Sequence, residues 1–199
     1  MKEILKITAV LSVIALIAGG LLGLVYAFCR VDDSEIFAKK IQVAYEADMS
    51  SDLSENLERN GDEFQKGTIK GVYRPKDGTN HQIYHAIGYG GYNGNIELLI
   101  VVLDGKITKI VKYYSGETPG LGSKATESEF LDKFIGVDLA TAERFAVLAD
   151  GGNVRPVSSA TYSSRAVIKA INCTLAFYKE YGLKIAAMPL ETLNAEAAI

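Results

Sequence analysis

The chain has 199 residues, of which 48% are apolar, and a formal net charge of −3. This length gives room for one domain of ordinary size beside a membrane anchor, and the apolar fraction is sufficient for a packed core. The small net charge gives no support for nucleic-acid binding. The two cysteines, Cys29 and Cys173, are too few for a usual iron–sulfur cluster, and we expect them not to form a disulfide.

An uncharged segment of 22 residues runs from Ile7 to Phe28. At about 1.5 Å per residue, a helix of this length crosses the roughly 30 Å of bilayer hydrocarbon. A cleaved signal peptide is the alternative, but the large side chains of Tyr26 and Phe28 spoil a cleavage site before Cys29. We therefore predict a transmembrane anchor within residues 1–30, whose flanking charges are too evenly balanced to orient it.

Residues 31–66 are predicted to form a helical linker region. Within it, Ile36, Phe37 and Val43 recur at helical spacing, which predicts a helix from Asp33 to Asp48. The polar residues 49–61 are predicted to be a loop with some helix.

The following segments are rich in β-branched and aromatic residues and predict strands over Thr68 to Tyr73 and Gln82 to Tyr89. The clearest hairpin comes next, with strands from Ile96 to Leu103 and from Lys106 to Tyr114. These strands flank Asp104-Gly105, a dipeptide that favours a type I′ turn with positive φ at both residues. The pattern predicts a mostly antiparallel sheet.

Short elements are predicted between this hairpin and the last helix. Thr126 is expected to open a helix as part of a capping box with Glu129, and Gly136 to end it. The other predicted elements are a short helix over Ala140 to Phe145 and two strands, Ala146 to Leu148 and Asn153 to Val157.

The last strong helix is predicted from Ser164 to Tyr181, with Gly182 as its stop. The predicted fold class is α+β, with one amino-terminal transmembrane helix followed by a single soluble domain. This domain has a mostly antiparallel sheet and flanking helices over residues 67–185, and a carboxy-terminal tail covers residues 186–199.

Five hydroxyl residues crowd the start of that helix, between Val157 and Ser164. A helix start has unpaired backbone N–H groups and the positive end of the helix dipole, which together favour a phosphate. Arg165 and Lys169 add positive charge within the first turns. Simple N-capping by Ser163 or Ser164 is the alternative, because capping serines are common. Capping alone leaves the number of hydroxyls unexplained.

A second distinctive segment, Gly116 to Gly122, reads Gly-Glu-Thr-Pro-Gly-Leu-Gly. Its glycines and proline favour one defined loop conformation. Glu117 and Thr118 offer hydrogen-bonding groups and Leu121 an apolar surface, which suit the edge and the face of a flat heteroaromatic ring. Taken alone, such a loop is more often only a turn.

Together these segments resemble the FMN-binding domain shared by the G subunit of the Rnf complex and the C subunit of the sodium-pumping NADH:quinone reductase. The family motif Glu-Thr-Pro-Gly-Leu-Gly is unbroken at Glu117 to Gly122. Arg155 to Thr161 is similar to the flavinylation motif Asp-x-x-Ser/Thr-Gly-Ala-Thr, and Gly91 to Gly94 also resembles the family. The resemblance covers about Gly67 to Tyr181, and the chain length and single span look more like the Rnf protein.

Two positions depart from the flavinylation motif. Arg155 stands where the family has aspartate, and Ser159 stands where it has glycine. The aspartate belongs to the motif that the flavin transferase reads, and Ser159 adds a side chain where the family backbone is usually bare. Ala160 and Thr161 are unchanged, so the resemblance still implies attachment of FMN.

The resemblance implies that the Thr161 hydroxyl oxygen is joined to the FMN phosphate by a phosphoester bond. The flavin does the redox chemistry, and the protein positions it and tunes its potential. No catalytic residue is expected in the chain itself. The other residues implied around FMN are Ser158, Ser159, Ala160 and Ser163 beside the attachment point, and Glu117, Thr118 and Leu121 near the isoalloxazine ring.

The implied function is electron transfer in an Rnf-type complex that couples ferredoxin:NAD+ electron transfer to movement of Na+ or H+. The implied partners are other Rnf subunits, especially integral-membrane ones, membrane lipid, and a flavin transferase during maturation. The family places such a chain in the inner membrane with its soluble domain on the extracytoplasmic side. The alternative, supported by Arg155 and Ser159, is a membrane-tethered flavin sensor or a non-redox assembly subunit.

The remaining motifs are expected to carry no chemistry. His81 and His85 are four residues apart, a spacing that suits zinc on a helix, but they fall on or next to a predicted strand and would simply share one face. We therefore expect no metal site, and neither histidine belongs to a recognisable hydrolase motif. The glycine-rich stretch from Gly88 to Gly94 is not followed by a predicted helix, which argues against a dinucleotide fingerprint.

Overall fold

A computed structural model describes residues 2–29, 33–47, 49 and 67–188. The chain divides into two compact units, Met1–Lys39 and Lys40–Ile199. The predicted loop lies outside the described residues except for Met49, as does most of the predicted carboxy-terminal tail.

The first unit contains helix α1, Lys2–Cys29. Its stretch Ile4–Tyr26 has a mean hydropathy of 2.4, and none of that stretch is buried. Because each helical residue rises about 1.5 Å, the stretch is about 35 Å long. Its length and composition are sufficient to cross a bilayer. The apolar helix predicted within residues 1–30 is therefore confirmed.

Helix α2, Asp33–Ala44, ends four residues earlier than predicted. Its last turn belongs to the second unit, where Ile41 and Ala44 are buried. The hydroxyl of the next residue, Tyr45, donates to Asp77 and lies 3.1 Å from Nδ1 of His81. The Tyr45 N–H still donates to the Ile41 carbonyl over 2.7 Å, while its side chain is held by partners distant in sequence that the local apolar spacing does not reveal.

The second unit contains a four-stranded sheet in the order β1-β2-β3-β4, with every neighbouring pair antiparallel. This confirms the predicted α+β fold with its antiparallel sheet. The β3–β4 turn also agrees with the prediction, since φ is 48° at Asp104 and 81° at Gly105. The strands are β1 Gly67–Tyr73, β2 His81–Gly91, β3 Gly94–Leu103 and β4 Lys106–Ser115.

Strand β3 is buried on both faces. Ile96, Leu98 and Ile100 are part of the main core cluster. Leu99 and Val101 point to the other face, because side chains alternate along a strand, and they are buried as well. This double burial explains why the sequence of β3 is a nearly continuous apolar run instead of an alternating one.

Helix α4, Thr161–Phe177, packs on the core face of the sheet through residues such as Ala166, Ala170 and Ile171. It begins three residues before the predicted start at Ser164. Ser164 is already inside the helix, since its N–H donates to the Ala160 carbonyl over 2.9 Å. The N-cap position is Ala160, so the predicted capping by Ser163 or Ser164 is wrong.

Gly182 does not stop this helical segment, contrary to the prediction. The backbone continues through a π-turn, Tyr178–Gly182, into helix α5, Leu183–Ala186. A Cβ at Gly182 would lie 2.4 Å from Cδ2 of the Tyr178 ring. The residue is therefore glycine because an aromatic ring packs against its backbone, and its own φ is helical at −57°.

The capping box predicted at Thr126 is also absent. The Thr126 hydroxyl donates to the Ser123 carbonyl over 2.8 Å, so it is not positioned to cap a following helix. Gly136 adopts a φ of 81° just beyond these turns, as a terminating glycine does. The predicted single helix is divided into helix α3 over Ser128–Leu131 and a 3₁₀ turn over Asp132–Phe134, and a further 3₁₀ turn over Gly122–Thr126 precedes it.

The predicted helix over Ala140 to Phe145 is not formed beyond one turn. The amide of Asn172 on α4 bonds both backbone groups of Phe145, with distances of 2.9 Å and 2.8 Å. The two strands predicted after it are reduced to one parallel bridge between Val147 and Val154. Contacts with α4 therefore satisfy backbone groups that the local pattern assigned to a helix.

The Cys173 thiol is expected to be unreactive in the folded protein. Cys173 is a fully buried free cysteine on α4, and burial raises the pKa of its thiol to about 12. Because the thiolate is the reactive form, a Cys29→Ser variant should not react with a thiol reagent at pH 8 until it unfolds. The same reagent in denaturant gives full labelling as the control. Rapid labelling of the native variant would contradict this account.

Candidate functional site

A cavity of about 410 Å³ lies where the two distinctive sequence segments meet. Three parts of the chain form it: the tip of the β2–β3 hairpin, the loop after β4, and the start of α4. The lining residues are Tyr92, Glu117, Thr118, Leu121, Gly122, Ser159, Ala160, Thr161, Tyr162 and Ser163. The structure thus brings together seven of the eight residues named from the sequence, all except Ser158.

Thr161 is the first residue of α4, and its side chain is partly exposed in the cavity. Its hydroxyl makes no hydrogen bond to any described residue, whereas the hydroxyls of Ser163 and Ser164 are both bonded. No side chain caps the start of α4, so the N–H groups of its first turn have no capping partner there. A hydroxyl and the positive end of a helix dipole therefore face the same space.

Glu117 joins the three parts of the site. Only 6% of this residue is exposed. Its Oε2 accepts a hydrogen bond of 2.9 Å from the Ser163 hydroxyl, and its Oε1 accepts one of 3.2 Å from the Asn93 backbone N–H. One carboxylate therefore connects the loop after β4 to α4 and to the hairpin tip.

Two glycines make room for this carboxylate. A Cβ at Gly91 would lie 2.5 Å from Glu117 Oε1, and a Cβ at Gly122 would lie 2.2 Å from Oε2. Both distances are too short for any real Cβ contact. Glycine is therefore required at positions 91 and 122, because the Glu117 carboxylate lies close to the backbone at both.

Replacing Glu117 with alanine is expected to destabilise the second unit by about 1–3 kcal/mol, because the buried Ser163 hydroxyl and the partly buried Asn93 N–H lose their acceptor. Denaturant unfolding of the full chain measures the change. Thr118→Ala is the matched control, since Thr118 is exposed in the same loop and its side chain makes no hydrogen bond to a described residue. Equal stability of the two variants would contradict this role of Glu117.

Ser159 has a φ of 61°, in the left-handed region that L-residues other than glycine rarely adopt. It lines the cavity directly before Ala160, and its side chain is exposed. The turn into α4 requires a positive φ at this position, which explains why the family motif has glycine there.

Ser159→Gly is expected to raise the free energy of unfolding by about 0.5–1 kcal/mol, because glycine relieves the left-handed strain at a partly offsetting entropic cost. Ser158→Gly is the control, since Ser158 is also exposed but is not among the positive-φ residues. That change should lower stability slightly. The prediction fails if both variants shift the unfolding midpoint in the same direction.

Ser158 lies on the other side of this turn and lines a separate cavity of about 350 Å³. Three cationic residues of that cavity are Lys124, Lys133 and Arg155. Lys133 Nζ donates to the Arg155 carbonyl over 3.3 Å and lies 4.8 Å from the centre of the Phe130 ring. Ser158 and Ser159 therefore face two neighbouring cavities. Thr161 lines only the cavity that Ser159 lines.

Arg165 and Lys169 do not contribute their charges to the Thr161 cavity lining, contrary to the sequence interpretation. The Arg165 guanidinium forms a bidentate pair with Asp150 at 2.8 Å and 2.7 Å, and this pair holds the pKa of the Asp150 carboxyl below its ordinary value. Lys169 Nζ donates to the Tyr89 carbonyl over 2.7 Å. An anion at the start of α4 would therefore rely mainly on backbone N–H groups.

Both histidines lie on β2 and have hydrogen-bond partners elsewhere in the fold. His85 is buried, with its Nε2 2.7 Å from Glu97 Oε2, and this hydrogen bond holds the pKa of Glu97 below its usual range. His81 Nδ1 lies 3.0 Å from the Thr79 hydroxyl. Within the described part of the chain, no group of three or more potential ligands is placed to hold a metal ion.

Three lining residues, Tyr92, Gly122 and Tyr162, were not identified from the sequence as contacts for a ligand, and two of them are aromatic. Tyr92 belongs to the glycine-rich hairpin tip, and Tyr162 directly follows the attachment candidate. The position of Tyr92 beside Thr161 depends on how β2 and α4 pack, so no local pattern reveals it. Tyr162 has a local signal, since it adjoins Thr161 in sequence.

Residues 91–176 match the FMN-binding domain family. The matched region contains every lining residue of the Thr161 cavity. The family match and the geometry therefore point to the same part of the chain.

The chain is also similar to several bacterial proteins, each named as the G subunit of an ion-translocating oxidoreductase complex. It is 36% identical to the one from Aliivibrio fischeri over 110 residues, which are 53% of this chain and 52% of the relative. It is 32% identical to the one from Shewanella oneidensis over 117 residues, 56% of this chain and 54% of the relative. For the one from Shewanella amazonensis the identity is 40% over 94 residues, 44% and 43% of the two chains. The chain thus spans about half the length of the curated relatives it matches.

Proposed function

We propose that this chain carries FMN, joined by a phosphoester to the Thr161 hydroxyl, and serves as an electron-transfer subunit of an Rnf-type ion-translocating complex. The observation that carries the proposal is the Thr161 hydroxyl. It lies at the uncapped start of a 17-residue helix, lines the cavity, and has no hydrogen-bond partner among the described residues. It also lies within the region of the FMN-binding domain family.

The residues of the cavity fit FMN chemically. A volume of about 410 Å³ lies in the range of about 300–1,000 Å³ that small-molecule sites occupy. The start of α4 favours a phosphate through its N–H groups and dipole. Leu121 and two tyrosines offer apolar surface for a flat ring, while Glu117 and Thr118 supply polar groups.

Each group of residues has a role in the proposed site. The first-turn N–H groups of α4 hold the phosphate, and the exposed Ser159 hydroxyl contributes a further donor, with Ser158 close by. Ser163 acts through Glu117, because its single hydroxyl hydrogen is directed to that carboxylate and leaves only lone pairs for another partner. Bound FMN supplies the capacity to accept and donate electrons, and the chain positions it.

The proposal extends to the surroundings of the chain. Helix α1 anchors it in the inner membrane beside lipid and integral-membrane subunits of the complex, and a flavin transferase attaches FMN during maturation. The second unit faces the extracytoplasmic side. The complex couples ferredoxin:NAD+ electron transfer to movement of Na+ or H+. The apolar helix supports the anchor, and the names of the relatives support membership of an ion-translocating oxidoreductase complex. The membrane side, the transferase, the ferredoxin:NAD+ reaction and the coupling ion follow from the family resemblance alone.

A second candidate is a membrane-tethered flavin sensor or a non-redox assembly subunit with the same fold. It is favoured by Arg155, which stands in place of the motif's aspartate. This exposed arginine lines the cationic neighbouring cavity and reverses the charge at that position. A transferase that reads an aspartate there would recognise this chain less well, and the second candidate follows if attachment fails.

Mass spectrometry of the intact chain, isolated from its native membrane, tests the proposal. We expect a mass increase equal to FMN less one water, and we expect peptide mapping to place it on residue 161. An unmodified residue 161 overturns the electron-carrier function. An unmodified chain that still purifies with Rnf subunits favours the assembly role.

A further inference from the structure

Two exposed tyrosines stand at the cavity that contains Thr161. Tyr92 is 78% exposed at the tip of the β2–β3 hairpin, and Tyr162 is 61% exposed in the first turn of α4. Both line the cavity. They come from separate parts of the chain, about 70 residues apart, and the packing of α4 on the sheet brings them to the same place.

The fold gives no reason for a tyrosine at position 92. Hairpin tips favour residues such as asparagine and glycine, which adopt turn conformations readily, and Gly91, Asn93 and Gly94 around it supply that chemistry. The Tyr92 side chain makes no hydrogen bond or ring contact with any described residue. Tyr92, Tyr162 and Leu121 are exposed together at one cavity, and such a group of aromatic and apolar side chains indicates a contact surface.

Tyr162 is placed by its neighbours instead. It directly follows Thr161, and the Arg165 guanidinium lies 5.7 Å from the centre of its ring. Arg165 is itself fixed by its bidentate pair with Asp150. The ring is therefore held next to the attachment point by a cation above one part of its surface.

We propose that Tyr92 and Tyr162 pack against the isoalloxazine ring of FMN and hold it at the cavity. This inference rests on the proposed function. Isoalloxazine is a flat heteroaromatic ring, and aromatic side chains bind such rings through offset-stacked or edge contacts. Leu121, which is also exposed at the cavity, adds an apolar contact from the third segment. Tyr92 and Tyr162 are thus positioning residues for the flavin ring.

The phenol side chain provides a specific readout of this contact. Light-excited flavin takes an electron from a tyrosine in van der Waals contact, and the electron then returns, so that fluorescence is quenched with no net reaction. Phenylalanine keeps the aromatic contact but is a much poorer electron donor. Leucine removes both the aromatic face and the donor. The two substitutions therefore separate stacking from quenching.

The test uses the full chain produced with its flavin transferase, and FMN loading is measured first by intact mass. Fluorescence lifetime per bound FMN is then compared in Tyr92→Phe, Tyr162→Phe and the double variant. Each single change should lengthen the lifetime, and the double change should lengthen it most. Tyr92→Leu and Tyr162→Leu should lengthen it as well and also shift the visible absorption bands of the flavin.

Tyr114→Phe is the matched control, because Tyr114 is 54% exposed on β4 but does not line the cavity. Its lifetime should equal that of the unchanged protein. Lifetimes of loaded Tyr92 and Tyr162 variants that match this control would overturn the inference and leave the proposed function intact. Failure of the unchanged chain to carry FMN would overturn both.

Discussion

Replacing Thr161 with alanine is expected to abolish covalent attachment of FMN, while Thr161→Ser retains it. The ester needs a side-chain hydroxyl at the first residue of α4, where the first-turn N–H groups and the helix dipole hold the phosphate. Alanine removes the Thr161 hydroxyl oxygen that forms the proposed bond and leaves the other lining residues in place. Flavin fluorescence of the band on a denaturing gel, together with intact mass, measures attachment.

The control for this prediction is Ser159→Ala. Ser159 lines the same cavity and its hydroxyl is exposed, but it lies before the helix in a left-handed turn. We expect this variant to keep covalent FMN on residue 161, at a reduced yield, because the Ser159 hydroxyl is proposed to donate a hydrogen bond to the phosphate and not to form the ester. If the Thr161→Ala variant gave a fluorescent band of full intensity, another hydroxyl would carry the flavin. The assignment of residue 161 would then be wrong.

Replacing Gly88 with alanine is expected to cause a large loss of stability, of about 3 kcal/mol. A Cβ at this position of β2 would lie 1.8 Å from the Ala166 carbonyl oxygen and 2.7 Å from its carbon, both of them backbone atoms of α4. Neither the central strand nor the helix backbone is able to move without disturbing the core. Thermal or denaturant unfolding measures the loss.

The same substitution is expected to disturb the site. Gly88 sets how closely α4 approaches β2, and the start of α4 carries Thr161. Pushing the helix away from the strand separates Ser163 from Glu117, so FMN attachment should fall together with stability. Asn95→Ala, on an exposed position of β3, is the control and should leave both unchanged. A Gly88→Ala chain of normal stability would contradict the packing described for these two elements.

Several elements were predictable from the sequence because local interactions decide them. The β3–β4 hairpin follows from Asp104-Gly105, since few dipeptides adopt positive φ at both positions. The apolar helix near the amino terminus follows from its composition alone. The two site segments were also recognisable, because their glycine, proline and hydroxyl patterns are unusual over short stretches.

Other elements depended on partners that are distant in sequence. Asn172 bonds the backbone of Phe145 and holds it in a non-helical conformation where the local pattern predicted a helix. Tyr178 packs on Gly182, so the glycine that predicted a helix stop is instead a contact point within a continuing helix. A pattern that serves two purposes is ambiguous until its neighbour in space is known.

The sequence by itself determined which residue types the site contains: a threonine at a helix start, and a loop with one carboxylate between glycines. Only the tertiary structure decided which of them act together. It brought Glu117 to Ser163 and Tyr92 to Thr161, and it turned the charges of Arg165 and Lys169 to other partners. The physical reason is that local sequence sets backbone conformation and periodicity, whereas contacts between distant residues arise from how elements pack.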